Sequence, residues 1–307
     1  MLLQDLEKKK LIKPPKWLST NCHNLSIMGS NAYGIAEDTS DFDIYGWAIP
    51  PRDIVFPHLT GSIEGFDSKK QKEKKRFNVY QEHHVYDKDA LRGKGREYDF
   101  AIYNIVDYLD LCMYGNPNMI DSLFVSQSCI LHLTKIGNLV RENRKMFLGK
   151  HLWPRYKGYA FEQMHKIKIK TPKKGGKREK YIKEHGYDVK FAYNIVRLLS
   201  EIEQIFIEGD LDLQEKGRRE HMKAIRKGEV SLEEVKSWVS DKEKHLENLY
   251  HESKLPAFSD KSAIKQLLLN CLEEHYGSLE GCVMQPDEAI QALKEIQTVL
   301  DKHSGLL

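Results

Sequence analysis

Residues 28–46 read MGSNAYGIAEDTSDFDIYG, and the rest of the chain is organised around them. Apolar Leu25, Ile27 and Met28 lead into Gly29-Ser30. A turn-rich segment, Asn31 to Ser40, follows, and then Asp41 and Asp43 interleave with Phe42, Ile44 and Tyr45. Glycine at the start of a turn lets backbone N–H groups close on an anion, and a neighbouring hydroxyl adds a donor. Residues at i and i+2 of a strand share a face, so Asp41 and Asp43 are expected to project together. Two carboxylates that close repel each other unless a cation lies between them. Hard oxygen ligands of this kind suit Mg²⁺, which keeps one or two carboxylates, waters and substrate phosphates in its shell.

This stretch resembles the signature of the DNA polymerase β-type nucleotidyltransferase superfamily: a Gly-Ser pair, then an Asp-x-Asp on the next strand, here Gly29-Ser30 and Asp41-Phe42-Asp43. Within that superfamily it is most similar to predicted nucleotidyltransferases of the YcgL and RlaP type, the latter associated with RNA ligases. Two later segments extend the resemblance. One ends YGNPNMIDSLF at Phe124, a helix followed by Asn-Pro and an acid. The other is YDVKFAYNIVRLL from Tyr187, similar to the second-domain helix of that branch. The likeness covers most of residues 25–210.

The resemblance implies an α+β protein: a small mixed-sheet, palm-like nucleotidyltransferase domain over residues 1–150, then a helical domain with basic loops over 151–307. It implies transfer of a nucleoside monophosphate from an NTP such as ATP to an acceptor hydroxyl, with release of pyrophosphate. Mg²⁺, with Mn²⁺ as the alternative, is held by Asp41, Asp43 and a third carboxylate on a later strand. Asp99, in the alternating run Tyr98–Tyr103, is assigned that role over Asp107 and Asp110, which fall on a helix. Gly29 and Ser30 are assigned to the β- and γ-phosphates. Lys190 and Arg197, on the polar stripe of the 187–208 helix, are assigned to the triphosphate. Asn194 stands where the family pattern carries His, so it offers hydrogen bonding in place of acid–base chemistry.

Composition bounds the alternatives. The 307 residues carry 48 Lys and Arg against 45 Asp and Glu, a net charge of +3. No stretch approaches the roughly 20 apolar residues of a membrane span, and MLLQDLEKKK lacks the apolar run of a signal peptide. Five scattered cysteines without a Cys-x-x-Cys predict free thiols in a reducing, cytoplasmic setting. The basic residues are clumped at 69–76, 166–180 and 218–227, which favours an RNA 3′ end as acceptor; the resemblance to RNA-ligase-associated proteins implies RNA repair, with a damaged tRNA as one substrate. A protein hydroxyl as acceptor, or a binding module without activity, are the other readings. His83 and His84 are adjacent, so on a strand they are expected to face opposite ways and to be structural. Residues 130–150, 231–252, 261–276 and 287–303 are expected to be helical, the second beginning with Ser231 and Glu234 at capping-box spacing.

Overall fold

The computed structural model describes residues 1–38, 40–55, 77–169, 177–278 and 295–298. Helices α1 (Leu2–Lys8) and α2 (Leu18–Asn21) form an N-terminal arm around Pro14-Pro15. Strand β1 (Cys22–Met28), the one-turn α3 (Gly29–Ala32), strand β2 (Phe42–Ala48) and the one-turn α4 (Arg52–Val55) follow. Next come β3 (Val79–Asp87), the one-turn α5 (Ala90–Gly93), β4 (Arg96–Asn104), α6 (Ile105–Met113), α7 (Pro117–Phe124), β5 (Ile130–Leu133) and α8 (Lys135–Glu142). The second half is helical: α9 (Leu152–Ile169), α10 (Lys177–His185), α11 (Val189–Glu208), α12 (Lys216–Arg226), α13 (Leu232–Glu252) and α14 (Lys261–Tyr276). This is the expected α+β architecture.

The five strands make one mixed sheet in the order β3-β4-β2-β1-β5. β2 and β4 run parallel, and the other pairs are antiparallel. Side-chain alternation separates the two faces. Leu25, Ile44, Phe100 and Ile102 pack with Leu3, Leu6, Ile12 and Leu18 of the N-terminal arm. On the opposite face Met28 and Trp47 join Ile105 and Tyr108 of α6, Ile120 of α7, and Val196, Leu199 and Ile202 of α11. That second core draws on residues either side of position 150 and reaches Cys271 on α14. Asp43 and Asp99 share the parity of Trp47 and Ala101, so they stand on the face toward the helical half.

Local sequence explains the element ends. Asn116 accepts hydrogen bonds from the N–H groups of Asn118 and Met119 at the head of α7. Pro117 occupies the first helical turn, where a missing N–H costs nothing. Ser231 and Glu234 form the expected capping box of α13. One expectation fails: residues 130–133 are a strand, paired through Ser26↔Ile130 and Asn24↔Leu133 with β1. The apolar run ILHL is too short for periodicity to tell helix from strand, and the open edge of β1 supplies its backbone partners. The helix expected at 287–303 and the basic run 69–76 lie outside the described residues, apart from 295–298.

Candidate active site

The parallel pairing of β2 with β4 sets Asp43 directly beside Asp99. Asp41 lies two residues before Asp43, exposed at the mouth of the sheet. Burial is the largest influence raising the Asp43 carboxyl above the usual carboxylate range. The positive charge of Lys190 opposes it, while the negative charges of Asp99 and Asp41 push the same way as burial. The charges of Asp99 and Asp41 beside the buried Asp43 carboxyl, offset by Lys190 and His83, make a donor set that a dication would relieve. All-oxygen donors fit Mg²⁺ or Mn²⁺.

The Gly29-Ser30 turn lies against this cluster. Gly29 has a φ of +62°, and a Cβ added there would meet Asp43 Oδ2 far inside van der Waals contact. Only glycine lets the backbone come this close to the carboxylate. Two hydrogen bonds hold the turn and the acids together. Asn31 donates through Nδ2 to the carbonyl of Asp41 at 3.3 Å. Arg96 donates to the carbonyl of Ser40 at 2.6 Å, and its guanidinium lies 4.2 Å from the centre of the Phe42 ring.

His83 and His84 do not face opposite ways as expected. The register passes from Glu82↔Phe100 to Val85↔Tyr98, so both histidines oppose the single residue Asp99. This is a β-bulge, with His84 in the left-handed region at φ +58°. Bulges re-aim side chains and gather beside active sites. His83 Nδ1 lies 3.7 Å from Asp99 Oδ1, the His84 N–H donates to the same oxygen at 2.7 Å, and His84 Nδ1 lies 2.5 Å from Glu97 Oε1.

The family described as RlaP, the RNA repair pathway DNA polymerase beta family, matches residues 23–267. The chain belongs to this family. Membership associates it with nucleotidyl transfer and with RNA repair. No curated protein matches the chain.

In this RlaP-family chain the three residues assigned on α11 have different surroundings. Lys190 is exposed in the first helical turn, and its charge acts on Asp43. Asn194 is half-buried and donates to the Lys190 carbonyl at 2.8 Å. Arg197 is buried and turned into the interior, away from the stripe that the helical spacing suggests. It is ion-paired to Asp121, donates to Tyr33 Oη at 2.6 Å and to Asn118 Oδ1 at 3.3 Å, and lies 3.7 Å from Glu201. Tyr33 Oη in turn donates to Asp121 at 2.8 Å. Tyr33 follows α3, Asp121 sits on α7 and Arg197 on α11. The buried cation therefore joins the Gly-Ser motif to the helical half.

Asp121 and Glu201 are both fully buried. Burial, with the Asp121 charge second, pushes the Glu201 carboxyl up to about 8. Against one guanidinium, two such carboxyls keep a proton near neutrality. Position 121, in the quoted Asn-Pro segment, carried an acid in the sequence pattern, but its partner was not legible. Other basic residues are also committed internally. Arg218 is buried and bonded to Gln204 and the Asp212 carbonyl, and Arg226 donates to the Ile35 carbonyl at 2.6 Å and pairs with Glu37.

Gly29→Ala is expected to displace Asp43 and to lower divalent-cation affinity at least about tenfold, read by calorimetric titration. Unchanged affinity would contradict the close approach. For Glu201, a folded-state value near 8 against an ordinary 4.5 means stability is present in acid and lost as pH rises through about 8. Urea unfolding of Glu201→Gln should therefore show a stability difference from the wild type that shifts in the variant's favour between pH 4.5 and pH 8 and is flat above. A pH-independent difference would contradict a protonated Glu201.

Proposed function

We propose that the chain is a divalent-cation-dependent nucleotidyltransferase that moves an NMP from an NTP to the 3′ hydroxyl of an RNA during repair. The observation that carries this reading is the in-register pair Asp43/Asp99, with Asp41 beside it and the Lys190 charge opposite. Asp41, Asp43 and Asp99 hold the cation. When bound, Mg²⁺, or Mn²⁺ in its place, neutralises triphosphate charge and favours the ionised acceptor oxygen. Gly29 and Ser30 bind the β- and γ-phosphates through the turn. Lys190 neutralises the triphosphate from α11, and Asn194 orients it by hydrogen bonding. Arg197 acts at one remove, as a positioning residue behind Tyr33.

In the reaction the acceptor oxygen forms a bond to the α-phosphorus. The bond from that phosphorus to the pyrophosphate oxygen breaks, and the acceptor's proton passes to solvent. The chain's own contribution is to fix both reactants and to offset charge.

The RNA reading draws support from a cleft of about 760 Å³ next to the acids. It is lined by Asp41, Tyr86, Arg92, Lys94, Arg96 and Glu97, among others. Tyr86 is 57 % exposed and offers a ring face on which a base stacks. Arg92 and Lys94 are exposed beside it and suit phosphates. The basic segment at 218–227 lies on α12, where Arg218 and Arg226 are internally bonded, and part of 166–180 lies outside the described residues.

The test uses each labelled NTP with Mg²⁺ and a small-RNA pool, resolved on a denaturing gel beside an Asp41→Asn/Asp43→Asn variant. Wild-type protein should lengthen RNA, and the variant should lose about 10²–10³-fold or more of the rate. Arg92→Ala/Lys94→Ala should weaken RNA binding and make the salt dependence shallower, by about 0.7 in log–log slope for each phosphate no longer neutralised. Label on a protein band would move the acceptor to a protein hydroxyl. Absence of pyrophosphate release with every NTP would overturn the enzyme reading.

A further inference from the structure

The His83-His84 bulge places a ligand set of different chemistry against the third carboxylate. One atom each from His84, Glu97 and Asp99 lie within 4.8 Å of one another. We propose that His84, Glu97 and Asp99 bind a first-row transition dication, of the Mn²⁺ to Zn²⁺ series, in a site that shares Asp99 with the three-carboxylate centre. The inference extends the proposed active site through that shared residue, and it does not require nucleotide transfer to occur.

Geometry and ligand chemistry support it together. Ligands of an ion held at roughly 2.0–2.2 Å stand no more than about 4.4 Å apart, so small side-chain rotations bring the three atoms into range. His84 Nδ1 and Glu97 Oε1 stand 2.5 Å apart in a direct contact that a bound ion would replace. The His84 N–H holds Asp99 through Oδ1, and a carboxylate bonded at one oxygen retains acceptor capacity for a cation. His83, 3.7 Å from Asp99, brings a second imidazole to the same carboxylate. An imidazole nitrogen with two carboxylates suits Mn²⁺, Fe²⁺, Co²⁺ and Zn²⁺ and discriminates against Mg²⁺, which prefers oxygen. The His84 side chain is 82 % exposed, so an ion enters from solvent.

A surface ion pair alone is a poor account of the bulge. Exposed pairs of this kind contribute little, whereas left-handed backbone at a non-glycine residue is costly and clusters at active sites and ligand clamps. A bound ion would supply what the His84–Glu97 pair does not. Because Asp99 is common to both sites, an ion on His84 withdraws negative charge from the Asp41/Asp43/Asp99 centre and weakens its hold on a second cation. The chain would thus distinguish transition metals from Mg²⁺.

The experiment titrates the full chain with ZnCl₂ by calorimetry in a large excess of Mg²⁺. Wild-type protein should retain a Zn²⁺ site under these conditions. His84→Ala and Glu97→Gln should each weaken it at least about tenfold, with circular dichroism unchanged. Bound Mn²⁺ should show imidazole nitrogen coupling in its electron spin-echo spectrum, abolished in His84→Ala. The Asp41→Asn/Asp43→Asn variant should keep both signals, so a failure of transfer and a failure of this site read out separately. Equal Zn²⁺ affinity in wild type and His84→Ala, no Zn²⁺ retained against Mg²⁺, or Mn²⁺ bound to Asp41→Asn/Asp43→Asn without nitrogen coupling would each overturn the proposal.

Discussion

Burial of the Asp43 carboxyl beside two further acids is the constraint that shapes the site. Parallel pairing of β2 and β4 puts Asp43 beside Asp99, and the i, i+2 spacing adds Asp41. Burial makes this costly, because the charged form loses water while its neighbours share its sign. The surroundings ease that cost only in part. Gly29 brings backbone close to Asp43, and Lys190 offers its charge from α11.

The same balancing of charge appears in the interior, with the opposite purpose. Arg197 answers Asp121 directly and Glu201 at a longer distance, through contacts closed to solvent. Breaking a buried pair by removing one partner is far more damaging than removing both. The arginine therefore fixes where α11 meets α7 and the Tyr33 turn, and through α11 it fixes Lys190. Two clusters of acids thus have two fates. One is paired with a buried arginine and sets the frame, and the other reaches the cleft through Asp41.

Much of this was legible in the chain. The Gly29-Ser30 and Asp41/Asp43 spacing pointed to the site, and alternation in Tyr98–Tyr103 gave β4 and its acid. Helical periodicity gave α11 to within two residues of its observed start at Val189. What escaped depended on pairing across the fold. Arg197 lies on a polar stripe in sequence, yet its buried carboxylate partner is 76 positions away. The His83-His84 bulge depends on register with β4, which adjacent residues do not encode by alternation. β5 was hidden because four apolar-leaning residues carry no period long enough to measure.

Asp43 is held in an unfavourable charged environment, and the proposed divalent cation is expected to relieve it. Thermal unfolding of wild type and Asp43→Asn, each with and without Mg²⁺, tests it most directly. Without metal, the Asn variant should melt higher, because the raised Asp43 carboxyl costs stability above its own titration range. With Mg²⁺, the wild type should gain stability by mass action and the variant should not, closing or reversing the gap. A wild type more stable than Asp43→Asn without metal and indifferent to Mg²⁺ would contradict the account.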